Sequence, residues 1–457
     1  MNIISYLVLM ICTNVCYGFS SFNVSDVGLD IYNYLKKYNY TLEDHTVTTS
    51  DGYILGLHRI TTGRNGIYAT EGKPPILLVH GLISSSMDYV NYGPGRSLGL
   101  MLADGGYDVW LVNCRGNTWS RKHKTLSTTD REFYQFSFHE IGVYDLPATI
   151  DYILDKTNKD QLSYIGHSQG CTTFFIMGSV KPDYMKKINV MAALAPAVFM
   201  ANTSHPLVKL AAQPLVNLAL GFLIEATQMY LVVPHYDIFT SFATLCEDKI
   251  WKYFCASVYY DIAGKRDEEQ IDYDSLPMIF SNAPAGISYR QAMHYLQEIR
   301  SGNFEPYNFG VQKNREIYNG KHTAEPYNLK KIAPPPITIY YGDGDTLASP
   351  TNVEQLADIF PSAELKFINS TNFTHLDFLW SKDIVELLNN DVIELMNKYN
   401  DVKISTVTTE TSTSEMSTGP SSSTTTDVPD NSDSATAVSG SVLLLCLLFV
   451  QNLIGSY

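Results

Sequence analysis

With 457 residues, 45% of them hydrophobic and 17% charged, the chain has the material for a large core and excludes a disordered or fibrous protein. Its formal net charge of −15, with no basic cluster, speaks against nucleic acid as a partner and offers anionic lipid no polybasic handle. Any membrane link must come from apolar segments, and two of these stand at the ends of the sequence.

The first is Ile3 to Cys12. It is followed by Cys16-Tyr17-Gly18, whose small residues suit cleavage, so residues 1–18 read as a secretory signal peptide although no Lys or Arg precedes the run. A secretory route agrees with five N-x-[ST] glycan acceptors, at Asn23, Asn39, Asn202, Asn369 and Asn372. Of the seven cysteines, Cys12 and Cys16 fall in the expected signal peptide and Cys446 in the C-terminal apolar run, which leaves Cys114, Cys171, Cys246 and Cys255, and four cysteines allow three connectivities. The short separation of Cys246 and Cys255 makes a local bridge the economical pairing, contributing about 2 to 3 kcal/mol by loop closure, and leaves Cys114 and Cys171 as buried thiols.

Beyond the leader, Val27 to Lys37 has helical periodicity, and Tyr40 to Ile60 reads as two strands around the turn Ser50-Asp51-Gly52. Ile76-Leu77-Leu78-Val79 is a continuous apolar run of the kind buried on both faces of a parallel sheet, and it ends in His80-Gly81-Leu82. A helical stretch from Arg96 to Ala103 separates it from a similar run at Val109 to Val112, and a helix from Asp145 to Lys156 leads to another at Leu162. Further strands at Val190 to Ala195, Ile337 to Tyr341 and Glu364 to Phe367 alternate with helices at Asn352 to Ile359 and Asp383 to Tyr399, a rhythm that predicts a mostly parallel α/β sheet. The expected core is therefore split, over residues 19–198 and 334–403. Between them, residues 199–333 form an aromatic-rich, mostly helical insertion, including helices over Leu207 to Ala226 and Ser288 to Ile299, that reads as a cap or lid. Its apolar content serves either as a core of its own or as a face for acyl chains and lipid.

Gly166-His167-Ser168-Gln169-Gly170 lies between the run at Leu162 and a helical stretch from Cys171 to Met177. A serine at the tip of such a strand-to-helix turn presents its hydroxyl in the open, which makes Ser168 the candidate nucleophile. It requires a base and a carboxylate to orient that base. Asp345, past the strand that ends in Tyr341-Gly342-Asp343-Gly344, is the candidate acid, with Asp343 as its rival, and His375 in a loop after the last strand is the candidate base. The oxyanion of acyl transfer needs two backbone N–H donors, expected from Gln169 after the nucleophile and from Leu82 after the strand ending near His80.

These motifs, together with Ser50-Asp51-Gly52-Tyr53-Ile54-Leu55, Asn113-Cys114-Arg115-Gly116-Asn117-Thr118-Trp119-Ser120 and Asn372-Phe373-Thr374-His375-Leu376-Asp377-Phe378, resemble those of the acid lipases of the gastric and lysosomal type, in an insect-like branch, from about Asp30 to Asn400. The resemblance implies an α/β-hydrolase fold, a mostly parallel sheet flanked by helices with a largely helical cap. It also implies hydrolysis of neutral lipid esters (triacylglycerol or sterol esters) at a lipid–water interface through an acyl-enzyme on Ser168, the Cys246–Cys255 bridge, and Asp345 over Asp343. No metal or organic cofactor is expected, because nucleophile, base and oxyanion donors account for the reaction. The rival readings are a catalytically silent lipid carrier of the same fold and an esterase of small soluble esters. The complete set of reactive residues argues against the first, and the apolar insertion ranks the second below a lipase.

The end of the chain departs from that family pattern. Residues 404–435 are dominated by Ser and Thr and read as a stalk; residues 436–457 follow with the apolar run Val442 to Ile454, and no Lys or Arg occurs after Lys403. Small residues around Asn431 to Ala435, a short spacer and an apolar run too short to span a bilayer comfortably predict a glycosylphosphatidylinositol signal that is removed, and hence an enzyme in the secretory pathway or at the cell surface.

Overall fold

The computed structural model of the chain describes residues 26–64, 73–234, 237–249, 251–264 and 269–400. The expected leader, Asn23, the stalk and the C-terminal apolar run lie outside them.

The first helix, α1 (Ile31–Lys37), starts later than its periodicity predicts, because the Asp30 carboxylate accepts the Asn33 N–H at 2.8 Å and caps it there. Strands β1 (Thr41–Thr48) and β2 (Tyr53–Thr62) form an antiparallel hairpin whose turn is closed by Thr49 Oγ1 accepting the Tyr53 N–H at 2.9 Å. The remaining framework alternates as expected: β3 (Pro75–Val79), α2 (Leu98–Asp104), β4 (Asp108–Val112), the short β5 (Lys122–His123), α3 (Leu146–Thr157), β6 (Leu162–His167), α4 (Gln169–Val180) and β7 (Ile188–Leu194). After a long helical excursion come β10 (Ile337–Tyr341), α12 (Pro350–Ile359), β11 (Glu364–Phe367), α13 (Asp377–Trp380) and α14 (Asn390–Asn400).

The strands form one sheet in the order β1-β2-β4-β3-β6-β7-β10-β11, with β5 on β2. From β4 to β11 every pairing is parallel, whereas β1 and β2 are antiparallel additions at one edge. All residues of β3, β4 and β6 are buried, which explains the apolar runs at their centres. The chain goes from β3 outward to β4 and then returns to the other side of β3 with β6. The connections leaving β3 and β6 diverge there, and a crevice opens beyond their carboxyl ends.

Two of the sequence motifs meet in an ion-pair network beneath this edge. The fully buried Arg115 guanidinium donates to Asp145 Oδ1 at 2.7 Å and to Asp51 Oδ2 at 2.6 Å, and it lies 4.0 Å from the centre of the Tyr53 ring. A charge this deep is stable only when both sides of its fork are engaged, so the Asp51 turn and the loop after β4 hold each other.

The excursion between β7 and β10 contains α5 (Pro206–Ala212), α6 (Pro214–Thr227), β8 (Leu231–Val232), α7 (Asp237–Leu245), α8 (Trp251–Ala263), α9 (Leu276–Phe280), β9 (Ile287–Ser288), α10 (Tyr289–Ser301) and α11 (Val311–Ile317). Cys246 is bonded to Cys255, tying the end of α7 to α8, while Cys114 and Cys171 are buried free thiols. The expected single helix from Leu207 to Ala226 is instead two, bent by 80° at Gln213–Pro214. Pro214 removes an N–H and its ring forces Gln213 out of the helical region, to ψ 137°, so the break is local chemistry that the apolar pattern masked.

Glycines allow α4 to lie on the sheet. A Cβ on Gly170 would stand 2.2 Å from the Val79 carbonyl oxygen, whereas one on Gly221, in α6, meets nothing nearer than Met293 Cε at 4.0 Å. Gly170→Ala is therefore expected to cost about 3 kcal/mol or more, and Gly221→Ala to gain about 0.5 to 1 kcal/mol, in urea unfolding.

Candidate active site

The structure puts Ser168 between β6 and α4 with φ 52° and ψ −113°, a conformation that costs a non-glycine residue about 1 to 3 kcal/mol. The turn is held from both sides: the Ser168 N–H donates to the Leu194 carbonyl at 2.9 Å, and the Ser168 carbonyl accepts the Cys171 N–H at 2.9 Å. A Cβ on Gly166 would come within 2.9 Å of the Gly170 backbone, so both glycines of the motif are required by close approach.

Ser168, His375 and Asp345 form one hydrogen-bonded chain. Ser168 Oγ is 2.8 Å from His375 Nε2, and His375 Nδ1 is 2.7 Å from Asp345 Oδ2. All three are buried. Asp345 Oδ1 accepts the N–H groups of Leu347 and Ala348, each at 2.9 Å, so the carboxylate is held on the side away from the imidazole. Asp343, the rival acid, instead accepts the Phe373 N–H at 3.2 Å, and the Gly344 N–H donates to the Phe373 carbonyl at 3.1 Å. A Cβ on Gly344 would stand 2.0 Å from the Asn372 carbonyl oxygen. The Asp-Gly-Asp turn thus docks the histidine loop with its first residue and meets the ring with its last.

The two residues expected to supply oxyanion donors both lie beside the serine turn. Gln169 is the first residue of α4, where the N–H has no carbonyl four residues behind it in the helix and the helix dipole favours negative charge. Leu82 follows Gly81, whose added Cβ would meet His167 Nδ1 at 3.0 Å and Ser168 Cβ at 3.3 Å, so this turn lies against the nucleophile turn. His80 braces it: Nδ1–H donates to the Gly81 carbonyl at 2.8 Å, and Nε2 accepts the Cys114 N–H at 3.1 Å. Burial lowers the His80 pKa to about 4 and keeps the ring neutral. Farther along the same loop, burial raises the Asp88 carboxyl to about 7.

Two further residues touch this group without having been singled out by the sequence motifs. His167 donates from Nε2 to the His375 carbonyl at 3.0 Å, and burial with the neighbouring His375 lowers its pKa to about 3, so it stays a neutral donor through the acid range. Gln291, on α10, touches Gln169 through its side-chain amide, and only the Ser288-x-x-Gln291 capping pattern could have flagged it. His294 is satisfied by Ser137 Oγ and the Glu305 carbonyl, and His139 by the Tyr327 hydroxyl. Among the described residues, no cluster of three His, Cys, Asp or Glu side chains could hold a metal ion. Of the glycan acceptors described, Asn39, Asn202 and Asn369 are exposed, whereas Asn372 is half-buried at φ 56° in the histidine loop.

Residues 74–380 match the family model of the alpha/beta hydrolase fold, and residues 31–93 match that of the partial alpha/beta-hydrolase lipase region. Lipase 1 of Drosophila melanogaster is 38% identical over 377 residues, covering 82% of this chain and 81% of that one. Rat gastric triacylglycerol lipase is 34% identical, covering 81% and 92%, and rat lysosomal acid lipase/cholesteryl ester hydrolase is 36% identical, covering 78% and 88%. A solved structure from Sulfolobus solfataricus superposes with a TM-score of 0.52 at 14% identity, covering 79% of this chain and 94% of that one, which is a likeness of fold. The chain belongs to the α/β-hydrolase-fold lipases of the gastric and lysosomal acid type, and by that membership it is a carboxylic ester hydrolase.

Proposed function

We propose that the chain hydrolyses neutral lipid esters, triacylglycerol or sterol esters, through an acyl-enzyme on Ser168. The observation that carries the reading is the unbroken Ser168–His375–Asp345 chain at 2.8 and 2.7 Å. Ser168 Oγ attacks the ester carbonyl as its proton passes to His375 Nε2, and the oxyanion is met by the N–H groups of Gln169 and Leu82. His375 then gives that proton to the departing alcohol, and water repeats the sequence to release the acid. Asp345 orients the imidazole and stabilises its charged form. These groups handle every proton and electron pair, so we propose no cofactor.

The lipid preference has support in the excursion between β7 and β10. Leu215, Leu218 and Phe222 line one side of α6 at helical spacing and are 81%, 58% and 70% exposed, and Leu210 on α5 is 54% exposed. A soluble ester needs no such face, whereas a lipid–water interface covers it favourably. Neither helix alone is long and apolar enough to cross a membrane. The named substrates of the rat relatives, triacylglycerol and cholesteryl ester, point the same way.

Ser168→Ala should abolish fluorophosphonate labelling, and Asp345→Asn should lower kcat by about 10⁴ while Asp343→Asn stays within about tenfold of the parent. The reverse ranking of the two aspartates would move the acid to Asp343. Leu215→Asp with Phe222→Asp should reduce hydrolysis of emulsified long-chain ester while leaving a short soluble ester unaffected; equal losses on both would remove the interface from the reading. We further propose that residues 404–457 carry a stalk and a glycosylphosphatidylinositol signal, supported by their composition. Phosphatidylinositol-specific phospholipase C should then release active enzyme from intact cells, and retention with a mass that includes Tyr457 would refute it.

A further inference from the structure

We infer that Gln291 is a positioning residue for the oxyanion donor Gln169, acting through the side-chain amides of the two residues. The inference rests on the proposed role of the Gln169 N–H. Gln291 is the third residue of α10 and forms a reciprocal cap with Ser288: Ser288 Oγ accepts the Gln291 N–H at 3.2 Å, and Gln291 Oε1 accepts the Ser288 N–H at 3.0 Å. That second bond fixes the orientation of the amide. With the oxygen committed to the cap, the NH2 group faces Gln169, and Gln291 Nε2 donates to Gln169 Oε1 at 3.1 Å. Gln169, Ser288 and Gln291 are all buried, so water does not compete for the bond.

One turn farther along α10, Tyr295 lies 3.1 Å from the hydroxyl of Thr172, itself three residues beyond Gln169. The two helices thus meet through two rungs, and only the first sits on the residue whose N–H would face the oxyanion. The orientation of that N–H follows the peptide plane between Ser168 and Gln169, where the backbone is already strained at φ 52°. A tether on the Gln169 side chain opposes relaxation of that plane, and an oxyanion donor works only when it is held within about 0.5 Å and 10–20° of its productive geometry. Ser288 Oγ also donates to the Phe136 carbonyl, which anchors the capped end of α10 to the core.

The test uses the full chain and a soluble short-chain ester, p-nitrophenyl butyrate, so that adsorption to lipid plays no part. Gln291→Ala should lower kcat about tenfold with KM within about twofold, and the rate of fluorophosphonate labelling should fall in proportion. Gln169→Ala retains the backbone donor but loses the tether, and it should show the same loss. The double variant should be no worse than either single one, because both remove one interaction. Tyr295→Phe, which cuts only the second rung, should lower Tm and leave kcat within about twofold. Additive losses in the double variant, a Gln169→Ala enzyme with unchanged kcat, or a Tyr295→Phe enzyme as slow as Gln291→Ala would each overturn the inference. If Gln291→Ala does not fold, Gln169→Ala, with the cap intact, decides alone. Absence of labelling in the parent enzyme would instead refute the acyl-enzyme reading itself.

Discussion

Everything at the active centre depends on how closely α4 lies on the sheet. The Gly170 Cα occupies a space where even a methyl group would run into the Val79 carbonyl, and this contact sets the sharp reversal that leaves Ser168 at φ 52°. The strain is sustained because the Leu194 carbonyl takes the Ser168 N–H and the helix takes its carbonyl. The same turn makes Gln169 the first residue of α4, where its N–H has no carbonyl four residues behind it in the helix. One packing constraint therefore sets both the strained turn at Ser168 and the start of α4.

The electrostatics around it are arranged to keep most buried groups neutral and one chain of groups reactive. His80 and His167 are driven to low pKa values by burial, so each keeps a fixed tautomer and serves as a brace for a loop. Arg115 is the exception, a fully buried charge, and it is matched by Asp145 and Asp51 on both sides. In the reactive chain, Asp345 is held by two backbone N–H groups and so presents one oxygen to His375. Burial strengthens each of these bonds and makes any unmatched partner costly.

The helical excursion between β7 and β10 contains two kinds of surface. Its α10 is joined to α4 by buried hydrogen bonds beside the nucleophile, and the Ala285 N–H donates to the Ile83 carbonyl next to the Leu82 turn. By contrast α6 has no buried residue and meets the rest through the exposed Arg131–Glu225 ion pair and contacts to Met293. Exposed ion pairs contribute little to stability, so α6, which carries the exposed Leu215, Leu218 and Phe222, is held weakly.

Local chemistry determined much of this protein from its sequence alone. Short apolar runs such as Ile76 to Val79, bounded by turn signals and alternating with helical stretches, read as strands buried on both faces of a parallel sheet, and the structure has them there. Gly-x-Ser-x-Gly between strand and helix, and the later Asp345 and His375, were legible because the chemistry demands those residue types in that order. The break at Pro214 was legible in principle but hidden by the apolar pattern around it. The choice of Asp345 over Asp343 could not be made from residue type or spacing, since both flank Gly344 and differ only in which part of the histidine loop they meet. Nor did the sequence reveal the Gln291 contact or the brace from His167, residues 122 and 208 positions from their partners. Such contacts depend on the superposition of segments far apart in the chain, which only the packed tertiary structure decides.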